Sequence, residues 1–177
     1  MYSIRTLGLA DAQAFLQLRL EALREHPEAY SADETEWRAK TAQDAAAVLS
    51  GENGGFVLGA FLADGELIGM VGFYPNGRPK LCHKGTLWGM YVAARYRRKG
   101  VGRSLIDALL HKARSLPGIR KVNLGVIRTK GDARRLYASA GFIVYGTELG
   151  SLQVNGTFYD EDLMVYEWEK GEAGRQS

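Results

Sequence analysis

A chain of 177 residues suits one domain with a core of its own, and 46% apolar with 24% charged side chains excludes disordered and collagen-like classes. The longest nearly unbroken apolar run, Phe56 to Ala63, is too short to span a membrane, and Met1-Tyr2-Ser3-Ile4-Arg5 lacks the basic-then-apolar build of a secretory signal. The net charge of +3 names no partner by itself, but it is unevenly placed: 5 basic and 8 acidic side chains in residues 1–50, 16 and 5 in residues 51–141, 2 and 7 in residues 142–177.

So strong a basic centre points to a polyanion, either nucleic acid or a phosphorylated small molecule. The single cysteine, Cys82, cannot form an internal disulfide, which fits a reducing, cytoplasmic setting.

In chain order, Tyr2–Arg5 reads as a leading strand. Asp11 to Arg24 places Ala12, Leu16, Leu20 and Leu23 on one helical face, and Pro27 marks that helix's end. Ser31-Ala32-Asp33-Glu34 reads as a capping box opening a second helix that Gly51 stops. Strands at Phe56–Ala63 and Leu67–Tyr74 meet at the hairpin signal Asp64-Gly65, and Lys84–Val92 is a third strand. A helix from Gly100 to Ser115 ends at Leu116-Pro117-Gly118. The strand Val122–Ile127 and the helix Asp132–Ala140, with Asp132 as its cap, follow. Strands at Phe142–Glu148 and Phe158–Trp168 join through Asn155-Gly156, and a disordered tail is expected from Gly171 to Ser177. These elements predict one mixed α/β domain over residues 1–170, in the order β-α-α-β-β-β-α-β-α-β-β.

The chemistry concentrates where the strand Trp88-Gly89-Met90-Tyr91-Val92 runs through Arg97, Arg98 and Lys99 into Gly100, Val101, Gly102, Arg103 and Ser104. The first N–H groups of a helix lack internal partners and carry partial positive charge. Gly100 and Gly102 let an anion reach that backbone, and the surrounding Arg and Lys side chains add full charges. The site is therefore a cradle for phosphate or pyrophosphate. No Walker string occurs, and a dinucleotide fingerprint would need glycine where Leu105 stands.

Arg97-x-x-Gly100-x-Gly102 resembles the acyl-CoA loop of the GNAT superfamily of N-acetyltransferases. Ala133-Arg134-Arg135-Leu136-Tyr137-Ala138-Ser139-Ala140-Gly141-Phe142 is similar to that superfamily's Ala-x-x-Leu-Tyr-x-x-x-Gly-Phe segment, with Lys130 where many members have asparagine. The resemblance implies a mostly antiparallel sheet flanked by helices and acetyl-CoA as co-substrate, with no metal. It implies that Arg97 to Ser104 hold the CoA phosphates, supported by Lys130 and Arg134. It also implies that the Tyr91 and Val92 backbones pair with the pantetheine arm, that the Met90 amide serves the oxyanion, and that Tyr137 protonates the departing thiolate. The strand carrying Met90 would splay from its neighbour, aided by Gly89 and Gly125.

Physical chemistry supports the Tyr137 role, because a phenol with pKa ~10 stays protonated near neutrality and a thiol near ~8.5 is only a slightly weaker base. The amine must also lose a proton, yet Thr86 to Val92 contains no carboxylate. Candidate bases are His83, Glu66, Glu148, Asp160 and Glu161, or ordered water. Cys82 and His83 are adjacent on extended chain and point to opposite faces, so direct transfer in a ternary complex is favoured over a Cys82-bound acyl group. Glu28, Asp33, Glu34 and Glu36, with Asp160, Glu161 and Asp162, would make the acceptor entrance electronegative and suit a small cationic amine. A protein N-terminus or lysine is the alternative acceptor, and a homodimer is compatible with the pattern. Two other readings compete: a non-catalytic CoA-binding domain, and a nucleic-acid module built on Arg95-Tyr96-Arg97-Arg98-Lys99. Against the latter, the cations converge on one helix start, and acidic ends would repel a long polyanion.

Overall fold

The computed structural model describes residues 1–168, so the expected tail and the outer end of the 1–170 domain lie outside the described residues. Seven strands form one sheet: β1 (Tyr2–Thr6), β2 (Phe56–Leu62), β3 (Leu67–Pro75), β4 (Lys84–Val92), β5 (Lys121–Ile127), β6 (Ile143–Val154) and β7 (Thr157–Glu167). Their order is β1-β2-β3-β4-β5-β7-β6. Every neighbouring pair is antiparallel except β4 with β5. This is the mixed, mostly antiparallel α/β fold that the sequence implies.

Five helices cover the sheet: α1 (Ala12–Glu25), α2 (Glu34–Arg38), α3 (Ala42–Leu49), α4 (Val101–Arg114) and α5 (Gly131–Ser139). The single second helix expected from Ser31 onward is in fact two. Asp33, not Ser31, caps α2 by accepting from the Thr35 N–H at 2.7 Å. Thr41 and Asp44 then form a reciprocal box that starts α3, so a second set of cap hydrogen bonds competes with helix continuation. Asp132 caps nothing either; its carboxylate pairs with Arg135, and Lys130 occupies the cap position of α5.

Two apolar clusters lie on the two sheet faces. Phe15, Leu23 and Trp37 pack with Val57 and Met70 under α1–α3. Leu105, Ile106 and Leu109 of α4 pack with Val71, Val122 and Met164 on the other side. The i, i+1, i+4 spacing on α4 gives that helix its apolar stripe, and each buried Leu or Ile contributes about 1.5–3 kcal/mol.

One break in the sheet creates the site. β4 and β5 pair only from Lys84–Thr86 against Lys121–Asn123. Further along, β5 stays bonded to β7 as far as Ile127 opposite Glu161, while β4 follows β3. The β3–β4 register shifts between Met70 and Gly72, so that Gly89 and Met90 together stand opposite Val71. Gly89 has φ +63°, a left-handed conformation that glycine adopts without steric cost. Such a bulge bends and twists its strand, which turns β4 away from β5 and opens a wedge inside the sheet.

Candidate active site

The wedge is a cleft of about 720 Å³. Its walls are Leu87–Val92 of β4 and Gly125–Ile127 of β5, and Met90, Tyr91, Val92, Arg97, Arg98, Gly100, Gly102, Arg103, Lys130 and Tyr137 all line it. Of the other residues expected here, Val101 is 2% exposed in the core, and the Ser104 hydroxyl is 2.9 Å from the Tyr2 hydroxyl. Lys99 lies with its ammonium 5.5 Å from the Tyr96 ring centroid, and Arg134 binds Asp162 at 2.9 Å.

At the α4 end, Gly100 caps the helix with φ +82°, no side chain hydrogen-bonds to the cap, and the first turn has no acidic residue. The free N–H groups there have the geometry that receives an anion. The cations around it are unequal. Arg97 gives Nη1 and Nη2 to the Glu25 carboxylate at 2.9 and 2.7 Å, and Nε to the Val92 carbonyl at 2.8 Å. Arg103 binds Asp107 at 2.8 Å and the Ser139 carbonyl at 2.9 Å. Lys130 is paired with Glu28. Arg98 and Lys99 have no carboxylate partner among the described residues; the Lys99 ammonium lies instead over the Tyr96 ring.

At the bulge end, Tyr137 is buried with its ring 5.9 Å from Phe142, edge to face. Burial raises its pKa above the usual tyrosine value, with the Tyr30 phenol adding to the effect, so the hydroxyl holds its proton throughout the neutral range. Tyr30, between α1 and α2, donates its hydroxyl to the Met90 carbonyl at 2.9 Å and so braces the bulge; burial pushes its pKa up to about 12.

His26 also lines the cleft. Its Nδ1 is 3.4 Å from the Lys130 Nζ, and an ammonium can only donate, so Nδ1 accepts. Burial, then the Lys130 charge, lowers its pKa. His26 is therefore neutral near pH 7 with its accepting nitrogen occupied. Tyr30, His26 and Arg19 belong to neither of the two sequence motifs. The available signal for Arg19 was its place on the apolar face of α1, three residues after Leu16 and four before Leu23.

None of the five candidate bases lines the cleft. The His83 carbonyl accepts from Arg120 and Lys121 at the closed end of the β4–β5 pair. Glu66 binds Arg95 and the Tyr96 hydroxyl, Glu148 is exposed on the outer strand β6, and Asp160 accepts from the Gly150 N–H at 2.9 Å. Glu161 accepts from Ser151 at 3.0 Å and lies against the cleft wall, where a Cβ on Gly125 would meet its Oε1 at 2.2 Å. The acidic groups expected at the entrance are mostly committed as well: Glu28 to Lys130, Asp33 to the α2 cap, Glu34 to Arg24 and Arg38, and Asp162 to Arg134. Cys82 is exposed and lies outside the cleft. Among the described residues no cluster of His, Cys, Asp and Glu could hold a metal ion, and no helix is long and apolar enough to cross a membrane.

A family model described as the acetyltransferase (GNAT) family matches residues 13–142. The chain belongs to that family. Among solved structures, a GNAT-family acetyltransferase from Streptococcus pneumoniae superposes with TM-score 0.84 at 23% identity, over 95% of this chain and 100% of that one. The Salmonella typhimurium protein yncA, solved with its cofactor acetyl-CoA, gives 0.84 at 22%, over 96% and 95%. A ribosomal-protein-alanine N-acetyltransferase from Brucella melitensis gives 0.82 at 26%, over 94% and 99%. No curated protein matches the sequence.

Proposed function

We propose that this GNAT enzyme moves the acetyl group of acetyl-CoA directly to a primary amine of a small molecule, with both substrates held at once. The observation that carries this reading is the wedge itself, which has a cradle of free helix N–H groups at one end and the largely buried Tyr137 on its wall. The residues present fit CoA: an uncapped α4 start without acidic groups, two unpaired cations at Arg98 and Lys99, and an unpaired β4 edge along Tyr91 and Val92. When bound, the cofactor supplies a thioester whose acetyl carbon accepts the amine's lone pair.

The chain's own groups position, neutralise and move protons. The backbone from Gly100 to Arg103 at the α4 start, with Arg98 and Lys99, holds the phosphates; the Ser104 N–H is already bonded to the Gly100 carbonyl. The Met90 amide is the donor for negative charge developing on the acyl oxygen, and the Tyr30 bond to the Met90 carbonyl holds that peptide in place. Tyr137 gives its proton to the departing sulfur. Deprotonation of the amine runs through ordered water or Glu161, the one candidate base that touches a cleft wall. Exposed Cys82, outside the cleft, supports direct transfer, and a lone cysteine suits a cytoplasmic setting.

Two measurements test the reading. Thermal unfolding with and without CoA should show stabilisation, and free thiol should appear from acetyl-CoA when a panel of small amines is supplied. Absence of both would reject it.

A further inference from the structure

Arg19 sits on α1 and is 4% exposed. Its Nε and Nη1 are buried with no hydrogen-bond partner, and no carboxylate pairs with it among the described residues. Three rings surround it instead, with the guanidinium carbon 4.7 Å from the Tyr30 centroid, 5.3 Å from Trp37 and 5.8 Å from Trp88. A guanidinium stays charged when buried, and ring faces offset only part of the lost hydration. Its N–H donors still lack acceptors, which is costly in a desolvated site. Nearby acids do not answer it: Glu21 and Glu25 on the same helix turn to the Tyr91 hydroxyl and to Arg97.

The position of this cation matters as much as its isolation. A Cβ built on Gly89 would lie 3.5 Å from the Arg19 Nη1 and within 4 Å of no other atom counted there. Gly89 therefore puts no side chain between the guanidinium and the bulge, one residue from Met90, although Nη1 is closed off from solvent and the cage must part slightly for a ligand to reach it. Tyr30, Trp88 and Gly89 face both Arg19 and the cleft, and Tyr30 links the two by its hydrogen bond to the Met90 carbonyl.

We infer that the acceptor is an α-amino acid or a close analogue, and that Arg19 is the specificity residue that binds its anionic group from the Gly89 side. This rests on the acetyl-transfer reading above. A carboxylate one carbon from the amine supplies the acceptor oxygens the guanidinium lacks, in the forked geometry arginine favours. It also brings the amine to the bulge. A polyamine or a simple alkylamine brings no anion, and the acidic side chains that would attract one are bound internally.

The test uses matched acceptors, each α-amino acid beside its own carboxamide, with an α-aminophosphonate as a further arm that separates carboxylate from general oxyanion recognition. Thiol release from acetyl-CoA gives kcat/KM for each. The expected result is a preference of about 100-fold for the acid over the amide, since a buried donor left without its acceptor discriminates strongly. In Arg19→Met that ratio should fall to about threefold or less through acceptor KM, with the KM for acetyl-CoA unmoved; Arg19→Lys should retain part of it. Wild-type enzyme that takes amides as readily as acids overturns the proposal, whether or not Arg19→Met folds. So does an Arg19→Met enzyme that keeps the preference. If no acceptor releases thiol and CoA does not stabilise the chain, the transferase reading has failed instead. Calorimetric titration with the same pairs then decides the Arg19 site, and equal or absent binding of acid and amide overturns it.

Discussion

Arg97 clasps Glu25 across 72 positions of sequence, with both terminal nitrogens on both carboxylate oxygens at 2.9 and 2.7 Å. The pair ties the turn after β4 to the last residue of α1. It also holds the Glu25 carboxyl at about 2, chiefly through the Arg97 hydrogen bonds. A carboxyl whose folded pKa is depressed contributes stability that is complete above its unfolded value, 4.5 here, and lost as pH falls towards the folded one. Glu25→Gln should therefore be less stable than wild type at pH 7, with the gap closing between about pH 4.5 and 2. The effect should be modest, because Glu25 is a third exposed. Urea unfolding at pH 7 and pH 3 measures it; a gap that does not change with pH would deny the pair this role.

Because Arg97 is spent in this way, the proposed phosphate contacts fall to Arg98 and Lys99. Replacing both with alanine should raise the KM for acetyl-CoA about tenfold or more, as expected for two lost charge-assisted contacts, with kcat little changed. It should also flatten the dependence of that KM on salt. Arg97→Ala should differ in kind, costing stability first. Steady-state kinetics at two ionic strengths separates the cases.

How far the sequence could be read follows from the range of the interactions. Lys84–Val92 coincides with β4, and α1 and α4 fall within a residue or so of expectation, because apolar period and local stop signals set them. The helix expected from Ser31 is two because the Asp33 cap and the Thr41–Asp44 box fall within twelve residues, and the packing of Trp37 and Ala45 decides where the chain turns. The cradle was legible because its parts are contiguous. Tyr30 with Met90 and Arg19 with Trp88 were not, since each pair spans more than fifty residues and only the folded sheet joins them. Counting charges also hid their pairings: Lys130, Arg103 and Arg134 look like free cations in the sequence and meet carboxylates in the fold.

Tyr137→Phe removes one hydroxyl that has no hydrogen-bond partner among the described residues, so stability should change little. Turnover should fall about 10²–10⁴-fold, the range for loss of a positioned general acid, with the KM for acetyl-CoA nearly constant. Burial raises the Tyr137 pKa, so wild-type kcat should show no alkaline limb from this group below about pH 10. A variant with full turnover across that range would remove Tyr137 from the mechanism.

Gly72 tests the packing that supports the wedge. A Cβ there would fall 2.2 Å from Cε2 and 2.5 Å from Nε1 of Trp88, the residue paired with it across β3 and β4. The contact is with a rigid ring, so it cannot be relieved by swinging a flexible side-chain end; either the indole leaves its place or the strands part. Gly72→Ala should therefore cost about 1–3 kcal/mol, the usual penalty for overpacking, read as a lower urea midpoint at unchanged slope. Trp88 also forms one side of the Arg19 cage, so the same variant should lose acceptor affinity while binding CoA normally. Gly77→Ala is the control, because a Cβ there meets nothing within 4 Å and should stay within about 0.5 kcal/mol of wild type. Equal stability of the two variants would mean that Trp88 does not lie across Gly72 in solution.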